Sequence, residues 1–293
     1  MKNISKEKLK KYEKDFANVE NKVITNTVTK NGFFKSCENY EEVRNSRYDF
    51  SVNLKQGEVT DQKRSGRCWI FASTNFIRYF LIKKLNIVNI ELSQNYIAFY
   101  DKLEKCNYFL NSIINTIDRP TTDRHVTFFL DNPINDGGQW DMFLNIIKKY
   151  GIVPKSAMPE TYNSSNTLEI NKILKRILRM YAYELREDYK NNKSLEEIEN
   201  KKLEMIEKIY NILCTAFGKP PKEFNFEYTN KKDEFFRENN ITPIEFYNKY
   251  VKDLNLEDYI SIINAPNADR PFFKKYTVNY VGNVALHDAL PIW

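Results

Sequence analysis

Glycine is scarce in this chain: 8 residues among 293, where an ordinary protein carries roughly 7%. So few glycines leave few tight turns, and the deficit favours a helix-rich fold. Cysteine is limited to Cys37, Cys68, Cys106 and Cys214, which lie far apart and lack the C-x-x-C spacing of a metal site. No uncharged apolar run reaches the roughly 18 residues a membrane span needs. Even the apolar stretch after Cys68 is interrupted by Arg78 and Lys83. The N-terminal sequence MKNISKEKLKKYEKDF is charged throughout and lacks the apolar segment of a secretory signal. A clustered basic face is missing too. The 45 basic and 39 acidic residues give a net charge of +6 but are interspersed along most of the chain, which argues against a nucleic-acid footprint. Together these absences describe a cytoplasmic protein with reduced thiols, in which a cysteine is kept for burial or for chemistry.

What is present is mostly helical periodicity. Residues 1–18 read as a polar helix, whereas 19–60 show no sustained period and suggest an extended arm with short strands. From Cys68 to Leu85, Ile70, Phe71, Phe76, Ile77, Phe80 and Leu81 recur near i, i+3, i+4 and i+7, the pattern of a mostly buried helix. A second helix fits Ser93–Leu103 with Ser93 as N-cap, and a third fits Trp140–Tyr150, stopped by Gly151. Over 167–217 two apolar stripes flank the polar break Lys190-Asn-Asn-Lys193, with Ser194 and Glu197 placed as a capping box. These predict a hairpin of two long antiparallel helices, autonomous, apart from the rest of the fold and serving assembly. Pro220-Pro221 is expected to end it. Residues 243–263 add a helical stretch opened by Pro243, and the alternation in Tyr276–Val281 predicts a strand.

The segment that carries chemistry is Gln62-Lys-Arg-Ser-Gly-Arg-Cys-Trp-Ile-Phe-Ala72. A long buried helix follows Cys68, which places the thiol in its first turn. Unpaired N–H groups and the positive end of the helix dipole lie there, and both favour the thiolate that attacks carbonyls. Arg64 and Arg67 add positive charge nearby. Gln62 can swing its amide toward the same point, giving two oxyanion donors together with the Cys68 N–H. Taken alone, a free cysteine is most often a small buried apolar residue. The combination of Gln-x5-Cys with Ser-Gly-Arg-Cys-Trp overrides that.

This wording resembles the papain-type nucleophile signature C-G-[SA]-C-[WY], with Ser65 in place of the first cysteine and Arg67 in place of Ser or Ala. More closely, Ser65–Ala72 is similar to the bleomycin hydrolase and aminopeptidase C family. So are Asp136-Gly-Gly-Gln-Trp-Asp-Met142, Tyr150–Thr161, Gly218-Lys-Pro-Pro221, Phe226-Glu-Tyr228, Thr242–Tyr247, Ile263-Asn-Ala-Pro266 and Tyr276–Asn283. The resemblance covers roughly residues 20–284. It implies an α+β, papain-like cysteine peptidase fold, represented mainly by its helical half plus a helical insertion. It implies Cys68 as nucleophile, Gln62 as oxyanion donor, and Gly137 and Gly138 as a substrate-binding strip where a peptide backbone can approach. It further implies aminopeptidase trimming of peptides through a thioester, no metal or other cofactor, no membrane partner, and a ring-shaped homohexamer with active sites facing an inner chamber. In that family the chain's own C-terminus enters the cleft and restricts cleavage to peptide ends.

The family's catalytic His and Asn lie well downstream of the Cys, and neither His125 nor His287 matches that position. His125 is expected to be an ordinary structural histidine. From Leu286 to Ile292 the chain reads as the translation of a sequencing-adapter oligonucleotide, CTA CAC GAC GCT CTT CCG ATC, so 285–293 is expected to be a non-native tail. The expected organisation is therefore an N-terminal arm and nucleophile-bearing helical subdomain over 1–160, a helical insertion for assembly over 161–260, the start of a truncated β subdomain over 261–284, and the tail. The chain itself is expected to be an inactive fragment of a cysteine-type aminopeptidase. The alternative is a catalytically dead interaction or nucleic-acid-binding protein built on the same fold.

Overall fold

The computed structural model describes residues 3–54, 56–260, 262, 264, 267–269, 271–274 and 282–284. The strand expected over Tyr276–Val281 and the tail at 285–293 lie outside them. The chain forms two compact units, one ending at Asn53 and one beginning at Leu54.

The first unit is helical. α1 (Lys6–Phe16) starts at Ser5, whose hydroxyl accepts the Lys8 N–H. α2 (Val19–Asn31) starts at Asn18 and ends at Gly32, where φ is +79°. α3 (Phe33–Ser36) and α4 (Tyr40–Asn45) follow, the latter capped by Asn39. Three helices thus stand where an extended arm with strands was expected. None of them buries a residue, so no apolar stripe was needed and none was written. Their start signals are the two asparagine caps.

The second unit carries α5 (Cys68–Lys84), α6 (Gln94–Ile114), α7 (Arg124–Asp131), α8 (Trp140–Tyr150), α9 (Tyr162–Ser165), α10 (Leu168–Lys190), α11 (Leu195–Phe217), β1 (Phe224–Thr229), β2 (Phe235–Ile241) and α12 (Pro243–Tyr250). α6 is the central element: α5, α7, α8, α10 and α11 all pack on it. It runs past the expected end at Leu103 because its charged residues are buried in pairs. Asp101, Lys102, Glu104 and Lys105 are all under a tenth exposed. They meet Lys105, Asp136, Lys149 and Asp101 respectively.

The hairpin α10–α11 forms as expected, including the Ser194–Glu197 capping box. It is not autonomous. Both helices pack on α6, and Leu174, Leu178, Leu185, Ile209 and Leu213 join the same buried cluster as Ile70, Ile77 and Leu81 of α5. The stop is Gly218, at φ +84°, ahead of the two prolines. After α12 the helix gives way at Asn255, in the left-handed region at φ +48°, between two short 3-10 turns.

β1 and β2 pair antiparallel, with Phe226 opposite Glu238 and Tyr228 opposite Phe236. Phe224 and Phe226 alternate inward and pack on Phe246 of α12. The turn after α8 needs Gly151. Its φ is +79°, and a Cβ there would stand 2.2 Å from the Pro243 carbonyl carbon. The described residues form an α+β fold made mostly of helices, with one two-stranded sheet. No helix among the described residues is long and apolar enough to cross a membrane.

Candidate active site

The loop before α5 is closed by its own hydrogen bonds. Gln62 Nε2 donates to the Ser65 carbonyl at 2.9 Å, and Ser65 Oγ donates to the Gln62 carbonyl at 2.7 Å. Lys63, at φ +54°, makes the reversal between them. The loop is also held from outside. Arg64 N–H donates to the Ser165 carbonyl at 2.9 Å. Gly66 N–H donates to Asp136 Oδ2 at 3.2 Å. The Arg67 guanidinium, 2% exposed, donates to Ser65 Oγ and forms a bidentate pair with Glu160 at 3.1 and 2.8 Å. Arg67 therefore does not act as an unpaired positive charge beside the thiol, as its position in the sequence suggested. Glu160 neutralises it.

Cys68 emerges from this loop as the first residue of α5 and is exposed. The next side chain, Trp69, lies buried against the loop 136–138. Its Nε1 donates to the Asp136 carbonyl at 2.7 Å. Gly138 faces the indole so closely that a Cβ would sit 2.5 Å from Trp69 Cε2. Gly138 is thus required by packing on Trp69, a reason the sequence did not disclose. At Gly137 the nearest atom to an added Cβ is Asn135 Oδ1 at 3.5 Å, an ordinary contact. Its carbonyl accepts from Lys105 Nζ at 2.6 Å.

Asp136 joins these parts. Its Oδ1 accepts from Lys102 Nζ at 2.7 Å and Asn171 Nδ2 at 2.9 Å. Its Oδ2 accepts from Thr167 Oγ1 at 2.6 Å as well as from Gly66. Burial pushes the carboxyl up. The Lys102 charge and the hydrogen bonds from Lys102, Thr167 and Asn171 outweigh burial and hold it well below the usual carboxylate range. Behind it, burial lowers the Lys105 ammonium from its ordinary value, opposed by Asp101 at 2.7 Å. Asn283 Nδ2 completes this cluster by donating to Asp101 Oδ1 at 2.9 Å.

The structure thus gathers Gln62, Cys68, Gly137 and Gly138 around the start of α5. His125 is elsewhere, in the first turn of α7. It is paired with Arg119 at 2.9 Å and lines a hollow with Asn111, Asn115 and Arg119, none of them from the loop before α5. His287 lies outside the described residues. Of the other thiols, Cys106 is buried, and burial pushes it up to about 12. Sequence reasoning missed two things. One is the pair of carboxylates, Asp136 and Glu160, whose only signal was their place inside motifs quoted for other residues. The other is an apolar hollow beside Trp69, lined by Ala72, Phe76, Trp140, Tyr259 and Ile260. The indole N–H of Trp140 has no hydrogen-bond partner there among the described residues.

Comparison with known proteins shows the family to which the chain is similar. Residues 3–290 match the Peptidase C1-like family. Aminopeptidase C of Listeria innocua is 45% identical over 267 residues, covering 91% of this chain and 60% of the relative. Aminopeptidase C of Lactobacillus delbrueckii subsp. lactis is 44% identical over 262 residues, covering 89% and 58%. Bleomycin hydrolase of Gallus gallus is 42% identical over 241 residues, covering 81% and 53%. The crystal structure of pepW from Lactobacillus rhamnosis HN001 superposes with a TM-score of 0.92 at 42% identity, over 96% of this chain and 63% of that one. The chain spans about 60% of the length of the aminopeptidases C it matches.

Proposed function

The chain belongs to the Peptidase C1-like family, and on that premise we propose that it is the nucleophile-bearing part of a cysteine-type aminopeptidase acting on peptides. The observation that carries this reading is the exposed Cys68 at the first residue of α5, in a loop held by side chains from distant parts of the chain.

In this reading the Cys68 thiolate attacks the scissile carbonyl carbon. The developing oxyanion is stabilised by the Cys68 N–H and by the Gln62 amide, whose nitrogen carries two N–H groups, one of them engaged by Ser65. The C–N bond breaks, the amine departs with a proton, and water then hydrolyses the thioester. The Gly137–Gly138 strip lines the substrate's backbone, and the apolar hollow beside Trp69 takes one of its side chains.

Proton transfer needs a base oriented by a third group. His125, paired with Arg119 in the first turn of α7, is not in that role, and in this reading the 293-residue chain by itself is expected to turn over no peptide. The same resemblance supports a cytoplasmic, ring-shaped homohexamer as the assembly. It also supports the organisation into a nucleophile-bearing part to residue 160, an assembly insertion over 161–260 and the start of a β subdomain from 261.

Competitive alkylation tests the assignment. Limiting iodoacetamide at pH 6, followed by peptide mapping of all four cysteines, should label Cys68 first. Label entering Cys106 or Cys214 ahead of it would refute the nucleophile.

A further inference from the structure

α5 begins without a side-chain cap, and the loop before it is held by side chains from distant parts of the chain as well as by its own hydrogen bonds. We propose that Asp136 and Glu160 are positioning residues: together they clamp the loop 64–67 and so hold Cys68 where its thiol can react. The proposal rests on the reading of Cys68 as nucleophile.

Each carboxylate takes hold of one residue immediately before the cysteine. Asp136 accepts the Gly66 N–H across 70 residues of chain, and Glu160 takes the Arg67 guanidinium across 93. Each is itself immobilised. Asp136 is held by Lys102, Thr167 and Asn171, which come from α6 and from the start of α10. Glu160 is held by the Ser164 hydroxyl at 2.5 Å. Arg67 is 2% exposed, so on losing Glu160 it cannot simply turn to water where it stands. Gly66 is equally constrained, since a Cβ there would come within 2.9 Å of Asp136 Cβ. Three parts of the fold (α6, the 136–138 loop and the 160–171 segment) therefore converge on two consecutive residues, and the thiol follows them.

Charge alone argues the opposite role. Two carboxylates close to a thiol disfavour its ionisation. If they acted only through their field, removing either charge would make Cys68 more reactive. Positioning predicts the reverse, because a thiol displaced from the first turn loses the N–H groups and dipole that favour the thiolate. The two roles differ in sign.

The experiment uses the 293-residue chain and its variants Asp136→Asn, Glu160→Gln and Ser164→Ala. Cys68 alkylation by iodoacetamide is followed by mass spectrometry from pH 5.5 to 8.5, below each variant's unfolding temperature. Exposed Cys37, in the other compact unit, serves as the internal reference. The clamp predicts that Cys68 slows several-fold at pH 6.5 in Asp136→Asn and Glu160→Gln, because the displaced thiol loses the first-turn N–H groups. The whole rate profile should move to higher pH while Cys37 stays unchanged. Ser164→Ala, which keeps both charges but removes the hydroxyl that holds Glu160 and that also accepts the Thr161 N–H in the α9 capping box, should slow Cys68 a few-fold. A rate profile that is unchanged or faster in folded Glu160→Gln overturns the clamp, as does an unchanged profile in Ser164→Ala should the carboxylate variants fail to unfold cooperatively. If Cys68 is not the fastest thiol in the parent chain, it is the nucleophile assignment that fails instead.

Discussion

Replacing Gly138 by alanine should damage the site through one collision. The added Cβ would lie 2.5 Å from Cε2, 2.6 Å from Cζ2 and 2.8 Å from Cδ2 of Trp69, whereas an ordinary contact is near 3.5 Å. Either the indole or the 136–138 strip must therefore move by roughly 1 Å. The indole is pinned by its hydrogen bond to the Asp136 carbonyl and buried among core residues. Overpacking a well-filled site typically costs about 1–3 kcal/mol. The loss of chain entropy in the unfolded state returns about 0.4–1 kcal/mol at most, so the net sign is destabilising. At about 2–4 °C per kcal/mol for a chain of this size class, the net loss of up to about 2.6 kcal/mol should lower Tm by up to about 10 °C. Gly137→Ala is the matched control. Its Cβ would meet nothing closer than Asn135 Oδ1 at 3.5 Å, so its Tm should stay within about 2 °C of the parent. Differential scanning calorimetry of the three proteins decides the matter. Equal Tm values for Gly138→Ala and Gly137→Ala would refute the packing argument.

Gly151→Ala should be worse, because both the positive φ and a 2.2 Å approach to the Pro243 carbonyl oppose a side chain; a loss of about 3 kcal/mol or more is expected in urea unfolding. Asp136 should leave its mark on acid stability. Its folded value is depressed, so its contribution is fully present above the ordinary value of 3.8 and is lost as pH falls from there toward the folded value. Tm measured from pH 7 to 3 should therefore drop more steeply in the parent than in Asp136→Asn, and parallel curves would contradict this. In a catalytically complete protein Gln62→Ala should lower kcat by about 10²–10³ with KM little changed, as for loss of one oxyanion donor; equal kcat would remove Gln62 from the mechanism.

Much of this was legible from the sequence because it is local. The periodicity of α5, the Gly151 stop of α8 and the Ser194–Glu197 box of α11 are written within a few residues, and the structure has them in place. What escaped is non-local or has no pattern to show. α2–α4 bury nothing, so only Asn18 and Asn39 announced them. The second half of α6 went unread past Leu103, because Asp101, Lys102, Glu104 and Lys105 are buried in ion pairs that show no apolar period. The β1–β2 hairpin rests on the short alternation of Phe224, Phe226 and Tyr228, which passed unread beside stronger helical signals. The proposed nucleophile was named from the chain around Cys68 alone. The carboxylates that hold its loop are 70 and 93 residues away, a pairing that spacing cannot reveal.

The central claim is that Cys68 carries peptide hydrolysis when a base faces it. Its most direct test is a chimera in which the segment of Listeria innocua Aminopeptidase C that follows the matched region is joined after Val284, assayed with aminoacyl-coumarin substrates. The account predicts turnover in the chimera, its loss in Cys68→Ser, no effect of His125→Ala, and no turnover by the 293-residue chain alone. Hydrolysis that survives Cys68→Ser, or that the 293-residue chain performs and His287→Ala abolishes, would contradict it.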